Sequence, residues 1–155
     1  MRNFNRILAP TDFSSYSDEG LCLAADLAEK FGSEIVVLHV LTSEELKEKK
    51  SMPLPAGYLD TIFRETEQQA REHFEKVLGS GKQDLQVRAV VASGDPFAEI
   101  IRKAREEQID MIVLATHGRT GLSHVLVGSV AEKVVRMADC PVLTVRPGEH
   151  RFEMP

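Results

Sequence analysis

Residues 34–41 read EIVVLHVL and residues 110–115 read DMIVLA. In both stretches the apolar side chains run almost continuously instead of alternating with polar ones. A strand that is covered on both faces has this pattern, which is typical of a parallel sheet lying between two layers of helices. The two stretches therefore predict a buried parallel sheet.

Three further apolar runs complete a set of predicted strands. These strands are Arg6–Pro10, Glu34–Leu41, Leu85–Val91, Asp110–Ala115 and Pro141–Val145. Helical patterns fill the gaps, and the alternation of strand and helix predicts right-handed crossovers in an α/β doubly wound, Rossmann-like sheet. We expect a single domain over residues 1–155, because no repeat or internal boundary interrupts this alternation.

The predicted helices have recognisable ends. The first is followed by Gly32, at the place of a left-handed C-terminal residue, and the second covers roughly Tyr58 to Leu78. The third has Asp95 as its predicted N-cap and Pro96 as its first residue. The fourth spans about Ser129 to Ala138, with Val130, Val134 and Met137 predicted to face inward.

Two segments are predicted to lack regular structure. Residues 42–57 are expected to form an irregular loop, in which the charged run at 44–50 is a solvated face. The run MPLPAG at 52–57 is expected to be a surface loop able to serve as a lid. Residues 147–155 are expected to be a tail.

Composition narrows the function classes. The formal net charge of -5 argues against a nucleic-acid binder, which needs a basic face, but it allows a mononucleotide. Cys22 and Cys140 lie far apart without metal-ligand spacing, so both are predicted to be small buried hydrophobes. No apolar run is long enough for membrane insertion, and we expect a cytoplasmic protein.

Residues 115–130, ATHGRTGLSHVLVGSV, hold more glycine than a tight turn needs, at a junction between a strand and a helix. A helix start exposes unpaired N–H groups and partial positive charge, which suit a phosphate. Gly128 would let an anion approach the backbone, Ser129 adds a hydroxyl donor, and Gly118 allows an anion-binding loop. An alternative stays open: Ser129 and Glu132 fit an S-x-x-E capping box, and Gly118 a plain surface turn.

Thr11 and Asp12 follow the first strand, at a second polar strand exit. Ligands of open α/β sheets bind beyond the carboxyl ends of strands where the strand order reverses. The alternative interpretation makes Asp12 an N-terminal cap for the helix near Ser14. His39 lies inside an apolar strand and is predicted to be a hydrogen-bonded core histidine, whereas His73 is predicted to lie at the surface.

The stretch THGRTGLSHVLVGSVAEKVVRMADCPVLTV, with RILAPTDFS near the start and VVLHV between, resembles the universal stress protein family over almost the whole chain. The nucleotide-binding branch of that family carries G-x2-G-x9-G-[ST]. Gly118, Gly128 and Ser129 match its last three elements, and the first glycine falls on Ala115, a departure.

The resemblance implies a five-stranded parallel sheet of order 3-2-1-4-5 with helices on both faces, which places the two polar strand exits in one crevice. It implies that adenine nucleotide (ATP, ADP or AMP) binds there, with any Mg²⁺ held mainly through the phosphates. The implied nucleotide-binding residues are Pro10, Thr11, Asp12, Val40, Ala115, His117, Gly118, Arg119, Gly128, Ser129, Val130 and Ala131. In the family Asp12 would hold ribose hydroxyls, the Val40 backbone would meet the adenine edge, and residues 128–131 would donate to the phosphates.

The resemblance also implies a homodimer through the last strand, at Val142, Leu143, Thr144 and Val145. Three function classes follow: an ATP-binding stress-response module with an unknown protein partner, a nucleotide-free dimer, and a slow ATPase or nucleotidyl-transfer enzyme. The binding module ranks first and the enzyme last, because His117 and Asp12 are the only acid/base candidates near the crevice. Neither has an evident orienting partner in the sequence.

Overall fold

The computed structural model describes residues 3–49, 56–79, 84–117 and 128–146. The strands are β1 (Arg6–Pro10), β2 (Glu34–Leu41), β3 (Val87–Ser93), β4 (Met111–Ala115) and β5 (Val142–Val145). The helices are α1 (Ser15–Phe31), α2 (Ser43–Lys49), α3 (Tyr58–Leu78), α4 (Pro96–Glu106) and α5 (Ser129–Met137). None of these helices is long and apolar enough to cross a lipid bilayer.

All of the strand pairs are parallel, and the order in the sheet is β3-β2-β1-β4-β5. The predicted α/β fold and its 3-2-1-4-5 strand order are therefore confirmed. The strand order reverses between β1 and β4. The segments that follow these two neighbouring strands therefore cross to opposite faces of the sheet.

The continuous apolar pattern of β2 reflects a core on each face of the sheet. Val36, Leu38 and Val40 pack into one core with the inward residues of α4 and α5. Ile35 and Val37 point the other way, into a second core with α1 and α3. Because alternate residues of a strand face opposite sides, both sets must be apolar when helices cover both faces.

The predicted helix ends are found for α1 and α4. Gly32 follows α1 in the left-handed conformation, with φ 67°. Asp95 is the N-cap of α4 and accepts a hydrogen bond from Ala98 N at 3.1 Å, and Pro96 opens the helix. Here local sequence rules determine where the helix begins and ends.

The predicted irregular loop at 42–57 contains α2, so that prediction is wrong for residues 43–49. Thr42 and Glu45 cap each other: Thr42 N donates to Glu45 Oε2 at 2.9 Å, and Glu45 N donates to Thr42 Oγ1 at 3.3 Å. Leu46 packs against the small apolar cluster at the end of the sheet. The predicted lid falls largely on residues outside the described part of the chain.

Two smaller predictions also need correction. Strand β3 begins at Val87 and continues to Ser93, two residues later than predicted at each end. Met137 is 57% exposed instead of facing inward. The residues of this helix region that pack into the core are Val130, Ala131, Val134 and Ala138, so the prediction holds for Val130 and Val134 and fails for Met137.

Both cysteines are partly buried, as expected for small hydrophobic residues, and neither forms a disulfide. Cys140 packs against the core formed with α4 and α5. Burial raises the pKa of its thiol, which disfavours the reactive thiolate.

Candidate functional site

A cleft of about 400 Å³ opens at the carboxyl end of the sheet, where β1 and β4 lie side by side. The two strands pair through Ile7↔Met111 and Leu8↔Ile112, near their beginnings. Beyond these pairs the strands lead into separate turns, and the space between their exits forms the cleft. This is the position at which open α/β sheets bind ligands.

The exit of β1 is a tightly bonded turn. Thr11 is buried, and its hydroxyl lies 3.0 Å from Ser17 Oγ. Asp12 Oδ1 accepts hydrogen bonds from Ser14 N at 3.0 Å and Ser14 Oγ at 2.5 Å. The N-cap of α1 is Ser14, whose side chain accepts from Ser17 N, so the alternative that makes Asp12 the cap is wrong. Asp12 instead holds the turn that precedes the cap.

The exit of β4 is tied directly to the start of α5. Gly128 N donates to Thr116 O at 2.5 Å, and Thr116 N donates to Val145 O at 2.8 Å. A Cβ added at Gly128 would lie 2.7 Å from Thr116 O, closer than real Cβ atoms approach a neighbour. Gly128 has an ordinary φ of -65°, so the glycine is needed for close packing against the strand exit.

The predicted capping box at the start of α5 is wrong. Gly128 is the N-cap, Ser129 is the first helical residue, and no side chain among the described residues caps this end. Glu132 reaches the other way and pairs with Arg136 at 2.9 Å. The cap lies one residue earlier than predicted because the bond between Gly128 and Thr116 decides where the helix begins. Exposed Ser129 therefore has its hydroxyl at a helix start without the predicted capping role.

The cleft brings together the predicted site residues that the structure describes. They are Pro10, Thr11, Asp12, Val40, Ala115, His117, Gly128, Ser129, Val130 and Ala131. Gly118 and Arg119 lie outside the described residues. His117 borders the cleft, with Nδ1 2.9 Å from the Thr116 hydroxyl.

Sequence reasoning missed one wall of the cleft. The additional lining residues include Thr42, Glu44 and Glu45 from the start of α2, and Pro96 and Ile100 from α4. The T-x-x-E pattern at residues 42–45 was a readable signal for the first group. No comparable local signal places α4 at the cleft, because only the packing of α4 against α5 brings it there.

The predicted core histidine, His39, is 2% exposed and hydrogen-bonded, as expected. Its Nδ1 lies 2.8 Å from Thr11 O, and its Nε2 lies 3.3 Å from Glu45 Oε1. It lines the cleft and contacts residues on two of its sides. His73 is partly exposed and also bonds Asp18 Oδ1 at 2.7 Å, a partner that the expectation of a surface residue did not include.

Comparisons with known proteins agree with this architecture. The family model described as "Universal stress protein family" matches residues 3–146. The universal stress protein MJ0577 of Methanocaldococcus jannaschii is 28% identical over 154 residues, covering 92% of this chain and 95% of that protein. Its solved structure superposes with a TM-score of 0.74 at 26% identity and covers 96% of this chain and 100% of that one.

Two more distant solved structures share the fold. A universal stress protein in complex with cAMP has a TM-score of 0.62 at 17% identity, covering 93% of this chain and 98% of that one. A universal stress protein from Archaeoglobus fulgidus in complex with dAMP has a TM-score of 0.59 at 20% identity. The match covers 92% of this chain and 98% of that one. With the sheet order, the cleft and a family model matched across residues 3–146 in agreement, the chain belongs to the universal stress protein family.

Proposed function

We propose that this protein is an adenine-nucleotide-binding stress-response module that acts as a homodimer in the cytoplasm. One observation carries the nucleotide proposal. The uncapped start of α5 and the carboxylate of Asp12 line the same cleft, from opposite sides of the β1–β4 junction. A nucleotide is a ligand that presents an anion at one end and sugar hydroxyls further along.

The start of α5 suits the phosphates. Its first N–H groups lack an internal helical partner, and the helix dipole favours an anion there. Ser129 adds an exposed hydroxyl, and Val130 and Ala131 continue the first turn along the cleft. We assign Gly118 and Arg119 to the ribose and phosphates on the family resemblance alone. Any Mg²⁺ is proposed to bind through phosphate oxygens.

Asp12 and Val40 suit the nucleoside. Asp12 is partly buried at the cleft, and its carboxylate accepts hydrogen bonds, as a group that holds ribose hydroxyls must. β2 extends beyond Leu38, the last residue that its register pairs with β1. The backbone of Val40 therefore reaches the cleft beyond the β1 ladder, where it is available to the edge of a base.

Ala115, which replaces the first glycine of the family motif, is compatible with this assignment. It lies in β4, paired with Val145 in the sheet, and is not among the residues with positive φ. Strand geometry suits alanine as well as glycine, so the backbone does not require glycine there. The relatives solved with cAMP and dAMP favour an adenine nucleotide as the ligand class.

Isothermal titration calorimetry with ATP, ADP and AMP, each with and without Mg²⁺, tests the proposal. We expect a Kd in the micromolar range, equivalent to about -8 kcal/mol at 1 μM. Mass spectrometry of nucleotide released from the purified protein would identify the preferred ligand. Absence of both binding heat and thermal shift at millimolar nucleotide would contradict the proposal. Hydrolysis faster than about 1 per second would favour an enzyme instead.

The homodimer is proposed to form through β5. This strand is at the edge of the sheet that the described residues form, where one row of backbone N–H and C=O groups has no strand neighbour within those residues. Leu143 is 39% exposed on it, and α5 just before it exposes Val135 and Met137. A two-fold contact would place these apolar side chains against their own copies.

Leu143→Lys tests the dimer, because it places a charge at the proposed interface without entering the core. We expect monomers by sedimentation velocity, with the far-UV circular dichroism spectrum of the wild type. Val145 is a poorer choice because it packs against the core formed with α1 and α3. An unchanged dimer in Leu143→Lys would place the interface elsewhere.

A further inference from the structure

His39 is held between two hydrogen-bond acceptors. Its Nδ1 lies 2.8 Å from the carbonyl oxygen of Thr11, and its Nε2 lies 3.3 Å from a carboxylate oxygen of Glu45. A neutral imidazole carries one N–H and can satisfy only one of these oxygens. The ring donates to both only when the His39–Glu45 pair holds an additional proton.

The relative basicity of the two side chains places that proton on the imidazole, and the hydrogen bonds of Glu45 are compatible with an ionised carboxylate. Glu45 Oε2 accepts from Thr42 N at 2.9 Å and from the Thr42 hydroxyl at 3.1 Å. The hydroxyl proton points toward Oε2, because Thr42 Oγ1 itself accepts from Glu45 N. Because an imidazole is a stronger base than a carboxylate, a proton shared by His39 and Glu45 lies on the ring, and the carboxylate stays ionised. His39 is therefore an imidazolium in this arrangement.

The surroundings of His39 suit a positive charge. Phe13 stacks on the ring with centroids 4.3 Å apart, which allows a cation–π contact. Phe13 has a φ of 62°, a conformation that bulky residues rarely adopt, so this turn is held by its contacts.

In the described part of the chain, the other ionisable groups near His39 come from α3, from α1 and from the lining of the cleft. From α3, His73 meets the edge of Phe13 at 5.4 Å and is paired with Asp18 of α1 at 2.7 Å. Asp12 and Glu44 line the adjoining cleft and add negative charge on its side. This set of acidic groups favours the imidazolium.

His39 connects two walls of the cleft. Its hydrogen bond with the Thr11 carbonyl holds the β1 exit, residues 11–12, and its ion pair with Glu45 contacts the first turn of α2, residues 42–45. Loss of the proton would leave the Nε2 lone pair facing a carboxylate, which is repulsive. Because Glu45 also caps α2, the repulsion acts on the position of the whole α2 wall.

We propose that His39 is a positioning residue whose second proton holds the α2 wall against the cleft, so that nucleotide affinity falls as rising pH removes this proton. The proposal rests on the nucleotide-binding function proposed above. The sign follows from the geometry: the doubly protonated ring holds the α2 wall in the position described above, so affinity is highest on the acidic side of the His39 titration. We expect the affinity for AMP to fall about tenfold across this titration, equivalent to ~1.4 kcal/mol.

The first experiment reads the proton directly in the nucleotide-free protein. Nitrogen chemical shifts of ¹⁵N-labelled imidazoles, followed from pH 5.5 to 9.5, distinguish the doubly protonated ring from either neutral tautomer. We expect a doubly protonated His39 at the acidic end and a shift of the backbone amides of residues 42–49 as the proton leaves. A neutral His39 at pH 5.5, or α2 amides that do not follow the ring, would overturn the proposal.

The second experiment measures AMP affinity by calorimetry over the same pH range in two variants. Glu45→Gln offers an amide N–H to a neutral His39 while its oxygen still caps α2, so we expect affinity that changes less than about twofold with pH. His73→Gln is the matched control, since it removes the neighbouring histidine and should keep the wild-type profile.

The outcomes separate the two proposals. A wild-type affinity that stays constant while His39 titrates, or a pH profile that disappears in His73→Gln, would overturn the role of His39. If AMP does not bind at any pH, the nucleotide function fails, and the imidazole and amide shifts still decide whether the His39–Glu45 proton positions α2.

Discussion

Helices α4 and α5 pack beside each other and both begin at the cleft, yet their first turns are built differently. The start of α4 is closed by its own chain: Asp95 accepts from Ala98 N at 3.1 Å, and Pro96 has no N–H to satisfy. The start of α5 has Gly128 as N-cap and no side-chain cap.

This difference shows how one cleft directs a charged ligand. A carboxylate already occupies the start of α4, so it both satisfies the helix and repels another anion. At α5 the first amides and the Ser129 hydroxyl face the cleft without such a group. The two helix starts therefore predict opposite responses to similar substitutions.

The largest effect is expected for Gly128→Val. The added Cβ would lie 2.7 Å from Thr116 O, so the start of α5 must shift away from the exit of β4. We expect the free energy of unfolding in urea to fall by about 3 kcal/mol, with loss of ATP binding in the remaining folded protein. If Gly128 served only to let an anion approach the backbone, its replacement would lower the free energy of unfolding much less than this.

Gly32→Ala is the control for Gly128→Val. Its added Cβ would meet no atom within 4 Å, and only the φ of 67° opposes it. We expect a loss of about 1 kcal/mol. Equal losses in the two variants would mean that the contact between Gly128 and Thr116 does not determine where α5 begins.

Ser129→Asp should separate stability from binding. A carboxylate in the first turn of α5 interacts favourably with the helix dipole, so the free energy of unfolding should rise by about 0.5 kcal/mol. The same charge would repel phosphate, and we expect the Kd for ATP to rise about 100-fold, equivalent to ~2.7 kcal/mol. Calorimetry gives the Kd for ATP and urea unfolding gives the free energy of unfolding, both measured on one preparation. Undiminished ATP binding would show that phosphate does not lie at this helix start.

The smallest effects come from removing one polar group at each helix start. Asp95→Ala removes a cap and should lower the free energy of unfolding by about 1 kcal/mol while ATP affinity stays the same. Ser129→Ala should leave stability within about 0.5 kcal/mol and weaken ATP binding about fivefold, because the residue donates to ligand and does not cap. The reverse pattern would restore the capping interpretation of Ser129.

Local patterns determined much of this protein from the sequence alone. The apolar runs of β2 and β4 predicted a sheet covered on both faces, since each face of such a strand meets a helix. Gly32 and the pair Asp95–Pro96 marked helix ends because their effects depend only on the adjoining backbone. The polar exits of β1 and β4 were likewise visible as departures from apolar runs.

The tertiary structure decided what depends on contacts between distant residues. The start of α5 is one residue earlier than its S-x-x-E pattern indicates, because the carbonyl of Thr116 binds Gly128 N. The charged run after β2 forms α2, whose capping residue Glu45 also meets His39. The carbonyl oxygen of Thr11 that meets His39 Nδ1 belongs to a residue 28 positions away in the chain. A sequence pattern records which groups can bond, whereas only the packed sheet brings a particular donor to a particular acceptor.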